Sequence, residues 1–311
     1  MSCSRINWVD KLKTLGILSV ILGHIDSPLN AFIFSWHMPL FFFLSGFFID
    51  IKKSINDFAV SNFNRLMIPY FIFSILALII EPFKRILLGR ENIDVLNELI
   101  GIFFFMDYPH LINTYGFVLW FLPTLFFGRL IVFVVINKIN SSIIQISIVS
   151  MLFYTSFSLD LIFGIDNALN SILFIYLGYL YYSKLQNEKR LSMLIFVFFG
   201  IIILYGIPPL NMSLKNFDSI FINIIYSVSF ILLLITLTKV INIKSKLILM
   251  WGTNTMLLFI VHPYTNNMAH LIVSYLETGG WSLKFIISVL LLHIILLIRE
   301  KYNHIGIFKY V

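Results

Sequence analysis

Apolar runs long enough to cross a bilayer recur along almost the whole chain, and no other sequence feature constrains the fold as much. A hydrocarbon core about 30 Å thick is spanned by roughly 20 mostly apolar helical residues. Runs near that length are read at about 12–30, 32–49, 67–80, 115–136, 143–163, 167–183, 191–208, 219–238, 247–263 and 281–298. A chain that is 59% hydrophobic and 12% charged has too few polar residues to be a water-soluble domain of this size. No stretch alternates with the two-residue period of an outer-membrane barrel. The expected fold is therefore all-α: a polytopic membrane helical bundle of about ten transmembrane helices, with residues 1–311 as a single domain.

Basic residues orient the expected bundle. Most of the 22 Lys and Arg residues fall on one side, among them Lys11, Lys13, Lys52, Lys53, Arg65 and Lys184. The other side holds only Lys84, Arg85, Arg90, Lys215 and Lys284. The positive-inside rule puts the richer side, and with it both termini, in the cytoplasm of a cell's inner membrane. The net charge of +7 is thus a topology signal and gives no reason to expect nucleic acid. Cys3 is the single cysteine, which excludes an intramolecular disulfide. Neither a metal nor a permanently bound cofactor is expected.

Chemistry is expected where ionisable groups interrupt apolar runs. In "DKLKTLGILSVILGHID", Lys13 and His24 enclose ten uncharged residues. On a helix they share a face to within roughly 20° and lie about 16 Å apart along the axis. Lys13 then sits at the cytoplasmic boundary, as a snorkelling anchor or an anion ligand, with Asp10 one turn earlier as its partner. His24 lies in the outer half. His37, in "FSWHMPLFFFLSGFF", and His262, in "MWGTNTMLLFIVHPY", are placed in the same layer. Pro39 frees the carbonyl of Ser35, and Ser45-Gly46 is a notch for close helix approach more readily than a nucleophile site. Arg65 and Arg129 extend a basic mouth suited to a phosphorylated ligand, although Arg65 reads equally as a topology anchor. Glu81 is either an imidazole-orienting group or a simple interfacial acid. Trp120 is read as an aromatic-belt residue, Pro123 as a kink, and Asn254 as a buried polar group needing partners.

These blocks resemble the membrane acyltransferase 3 family of bacterial glycan O- and N-acyltransferases. "INWVDKLKTLGILSVILGH" is similar to its pattern of Asp, a basic residue, ten positions and His. "HMPLFFFLSGFF", "RLMIPY", "LWFLPTL", "YLGYLYY" and "WGTNTMLLFIVH" follow in the family's order. Many members carry two arginines three apart before the third span; here Asn62 replaces the first, leaving Arg65. The resemblance implies transfer of an acyl group, expected to be acetyl, from acetyl-CoA to a glycan hydroxyl, as in O-antigen, capsule or exopolysaccharide. His24 is the expected base, with His37 or His262 orienting it or the acceptor, or else His24 carries the acyl group in a relay. The expected partners are acyl-CoA at Lys13, Arg65 and Arg129, a lipid-linked sugar or polysaccharide acceptor, and membrane lipids. Asp10, Ser45, Glu81, Trp120 and Asn254 are the supporting residues. A multi-span transporter or flippase for glycans or small anions is the competing reading.

Overall fold

The computed structural model describes residues 7–87, 89–186, 193–241, 245–277 and 279–302. Helix dominates, and the strands among the described residues are the two-residue pair β1 (Leu210–Asn211) and β2 (Asn216–Phe217). Five helical segments are long and apolar enough to cross a membrane, six when a bent pair is counted as one. They are 55–86, 115–138, 162–185, 220–240 and 281–301, with the bent pair at 246–275. Helix α1 (Asn7–Gly23), at 17 residues, lies outside that group, as do the shorter α9 (Ser142–Thr155) and α11 (Met193–Leu204). Phe196, Ile203, Leu204 and Phe221 are exposed on the outside of the bundle, as helices facing lipid require. Residues 1–6 and 303–311, the two termini, lie outside the described residues.

The expected second span is broken. It consists of a short α2 (Asn30–Phe34) and α3 (His37–Gly46), separated at Ser35-Trp36. Pro39 lacks the N–H that would bond Ser35, and the Ser35 carbonyl instead accepts from Ser227 Oγ at 2.6 Å. The third span is longer than its apolar core suggests. Helix α4 (Ile55–Asn62) passes through a π turn at Phe63–Met67 into α5 (Ile68–Leu87), which continues through Pro82. Pro69 cannot donate to the Arg65 carbonyl, and the looser turn lies where that bond is missing. The run at 99–106 does not span: α6 (Val95–Ile100) relaxes into a second π turn ending at Met106.

The short α7 (Tyr108–Leu111) leads to a 3₁₀ stretch at Tyr115–Trp120 and then α8 (Phe121–Lys138). Pro123 was expected to kink this span, but it falls in the first turn of α8, where its missing N–H leaves no intrahelical bond unmade. The expected continuous span at 247–263 is also corrected. The chain turns by 86° between α13 (Lys246–Thr253) and α14 (Thr255–Tyr275). Asn254 sits at the turn, and its Nδ2 donates to the Met250 carbonyl at 2.6 Å, drawing that acceptor into a local bond. Helices α10 (Ile165–Leu180), α12 (Ile220–Val240) and α15 (Trp281–Lys301) complete the bundle.

Close approach of α3 to α10 sets the centre of the bundle. A Cβ on Gly46 would lie 2.1 Å from the Ile175 carbonyl oxygen, and one on Gly178 would lie 1.8 Å from that of Phe43. Both clashes are with backbone, so neither helix can yield locally, and the Ser45-Gly46 notch is a packing feature. Gly178→Val is expected to cost at least about 1–3 kcal/mol, the usual overpacking range. A lowered thermal midpoint of the detergent-solubilised protein checks it; an unchanged midpoint contradicts this packing.

Candidate functional site

The sequence spacing carries His24 one residue past the last turn of α1. Its Nδ1 lies 2.8 Å from the Val20 carbonyl oxygen. His37 repeats the geometry at the start of α3, with Nδ1 2.8 Å from the Ile33 carbonyl oxygen, and His262 on α14 repeats it at 2.6 Å from that of Phe259. A carbonyl can only accept, so each Nδ1 bears the proton and each neutral ring keeps its lone pair on Nε2. The backbone thus fixes three tautomers alike. The rings of His24 and His262 meet edge-on with centroids 4.9 Å apart, while Phe34 packs against both His24 and His37.

His24 and His37 open into a cavity of about 190 Å³. Its walls include Tyr108, Phe117, Trp120, Phe259 and the loop residues Asn211, Met212 and Ser213. His262 lies behind His24, fully buried, with an Nε2 that has no hydrogen-bond partner among the described residues. The end of α1 is held by α14: Asn266 Nδ2 donates to the Ile21 carbonyl at 3.0 Å, and Ser288 Oγ donates to Asn266 Oδ1 at 2.6 Å. Ile21 is in the last turn, where carbonyls lack intrahelical partners, so this side chain closes the helix just before His24.

A second cavity, of about 130 Å³, contains the cations. Lys13, Arg65 and Arg129 line it together with Ser45, Phe48, Asn62 and Phe121. Phe259 is common to the walls of both cavities, and its ring packs against that of Phe121 with centroids 5.2 Å apart. Lys13 Nζ stands 3.8 Å from an Asp10 carboxylate oxygen and 5.1 Å from the centre of the Phe48 ring. Arg65 is exposed, whereas Arg129 is buried and heavily committed. Arg129 donates to Asn62 Oδ1 at 2.8 Å, to the Phe48 carbonyl at 3.0 Å and to the Ser45 carbonyl. It therefore ties α3, α4 and α8 together at the edge of the cavity.

The sequence-selected residues are thus gathered at two places. Lys13, Arg65, Arg129 and Ser45 meet at one cavity; His24, His37 and Trp120 meet at the other, with His262 behind. Ser45 Oγ donates to the Phe42 carbonyl at 2.7 Å. Trp120 is buried against the histidine cavity instead of facing a membrane interface, because the 3₁₀ stretch before α8 turns it inward. Glu81 does not meet an imidazole; it pairs with Lys84 at 2.6 Å and Arg85 at 3.0 Å, one turn further along its own helix. Asn254 belongs to the bend between α13 and α14. Sequence reasoning missed Asn266, Phe259 and the 211–213 loop. An asparagine within an apolar helix was a usable signal for Asn266; nothing marked one phenylalanine among 33.

Two cavities of opposite character, one cationic and one imidazole-lined, share a wall inside an apolar bundle. Such a site can hold an anionic handle at one end and take up a proton or an acyl group at the other. No curated protein and no solved structure matches the chain significantly. A family model described as an acyltransferase domain matches residues 6–299, nearly the whole chain. The chain accordingly belongs to the acyltransferase 3 family and is a membrane acyltransferase.

Proposed function

We propose that the protein transfers an acetyl group from acetyl-CoA to a hydroxyl of a lipid-linked sugar or cell-surface polysaccharide. The carrying observation is His24: its Nε2 lone pair is left free by the Nδ1–Val20 contact, and its cavity adjoins the cationic one through Phe259. Lys13 and Arg65 receive the phosphates of the donor, as charge-assisted contacts to phosphate favour. The bias of Lys and Arg supports putting that entrance on the cytoplasmic side of an inner membrane, in a reading with about ten spans and both termini inside.

An alcohol is a weak nucleophile at neutral pH and gains from a positioned base. As the acceptor oxygen attacks the thioester carbonyl carbon, its proton passes to His24 Nε2. The carbon–sulfur bond then breaks, and the departing thiolate takes the proton back. In the covalent variant, His24 Nε2 attacks first and the thiolate leaves; the acceptor oxygen then displaces the imidazole, and its proton passes to the thiolate. Incubation with labelled acetyl-CoA and no acceptor separates the routes, since only the second leaves acetyl on His24. His37 and His262 orient His24 or the acceptor. Arg129 acts as a strut between helices and fixes the shape of the donor entrance.

The 86° break between α13 and α14 is the observation that favours transport, because broken helices line many substrate pathways. Purified protein in vesicles with labelled acetyl-CoA and membrane glycan from the source cell decides between the two. Label in the glycan with release of free thiol supports transfer; uptake with the thioester intact supports transport. Asn266→Ala gives a further check on the site. Losing one buried hydrogen bond to the α1 terminus is expected to lower kcat about 10-fold. The KM for acetyl-CoA is expected to stay unchanged, and a matching rise in that KM contradicts a role confined to His24.

A further inference from the structure

The segment between α11 and α12 forms one wall of the histidine cavity and takes no part in the cationic one. Its construction is unlike that of a free connecting loop. Met212 is buried, and Phe217 packs edge-on against Phe153 and Phe157. Asn223 Nδ2 donates to the Pro209 carbonyl at 2.9 Å and to the Pro208 carbonyl at 3.2 Å, which fixes the start of the segment. Lys215 crosses to the first turn of α10, where its ammonium pairs with Asp166 and donates to the Leu159 carbonyl. The Asp166 side chain is only 4% exposed. Lys215 adopts φ 53°, a left-handed conformation unusual for a side chain of this size, so the surrounding contacts hold it there.

Two residues before this clamp, Ser213 faces the cavity, and Asn211 stands beside it. Asn211 Oδ1 accepts from both the backbone N–H and the hydroxyl of Ser213. The pair therefore presents an amide NH₂ and a hydroxyl oxygen to the cavity, opposite groups able to give and accept hydrogen bonds at a hydroxyl-bearing molecule. The donor's anionic end is accounted for at the other cavity, whose Ser45 and Asn62 are spent on the Phe42 and Phe58 carbonyls and on Arg129.

We propose that Asn211 and Ser213 determine acceptor specificity, recognising hydroxyls beside the one acylated, and that the Lys215–Asp166 pair is the clamp that positions them. This rests on the acyl-transfer reading for the acceptor's chemistry; the clamp does not depend on it. A single cysteine, Ser213→Cys in a Cys3→Ser background, reports the clamp when membrane-embedded protein is treated with a charged maleimide. Adding Lys215→Met or Asp166→Asn is expected to speed labelling at least about 10-fold, since the first leaves the buried Asp166 charge unpaired and both remove the ion pair that holds the wall. Unchanged rates in both variants overturn the clamp.

Asn211→Ala with Ser213→Ala tests specificity, using labelled acetyl-CoA and the membrane glycan of the source cell. Incorporation is expected to fall at least about 10-fold at limiting glycan, with the KM for acetyl-CoA unchanged. Undiminished incorporation, or a loss that appears as a raised acetyl-CoA KM, overturns the assignment. Absence of acetyl-CoA turnover in the unsubstituted protein would count against acyl transfer instead, while the labelling rates still decide the clamp.

Discussion

His24→Ala is expected to lower acyl transfer by about 10²–10⁴-fold, the range a positioned general base supplies. The expectation follows from geometry before chemistry. Val20 claims Nδ1, which leaves Nε2 as the basic atom of a ring that lines the cavity. His262 packs edge-on against the ring, and its own free Nε2 lies buried behind, so it is badly placed to substitute. The variant should still insert and elute as a single species in detergent, because Asn266 grips α1 through the Ile21 carbonyl and not through the imidazole. Initial rates at saturating donor and glycan measure the loss. Turnover within a few-fold of the parent would remove His24 from the reaction, and His37 would become the base to test.

Replacing Lys13 and Arg65 together with alanine is expected to raise the KM for acetyl-CoA by about 10²-fold or more, with each cation contributing a charged hydrogen bond. The kcat should change little, since neither residue lies in the histidine cavity. High salt should narrow the difference between variant and parent, because the exposed Arg65 is screened. Arg129→Ala should behave differently. Its guanidinium is spent on Asn62 and on two carbonyls of the α3 terminus, so its loss should lower thermal stability along with donor affinity. If donor KM is indifferent to the double substitution, the phosphates enter elsewhere.

Periodicity and charge were enough to foresee a helical membrane protein, and the Lys13–His24 spacing put on one helix two residues that line separate cavities. Apolar composition reports burial in lipid, and an eleven-residue separation is close to a whole number of turns. The interruptions were harder to see. Pro39 announced the freed Ser35 carbonyl, yet the break at Ser35-Trp36 depends on Ser227, which lies far along the chain. The bend at Asn254 depends on a local side-chain bond that hydropathy does not register. Glu81 looked available to an imidazole because hydropathy indicates depth but not direction, and its own helix supplied Lys84 and Arg85 first. Asn62 has a partner that its sequence position did not announce: its side-chain oxygen accepts from Arg129.

Phe259 carries a consequence for timing. Its ring belongs to both chambers and leans on Phe121, so under the proposed transfer a thioester reaching from one chamber to the other has to pass this pair of rings. On that proposal a swing of one of these rings would open the way, and the Phe259 carbonyl is also what orients His262. Opening the passage and disturbing the imidazole pair are therefore linked through a single residue.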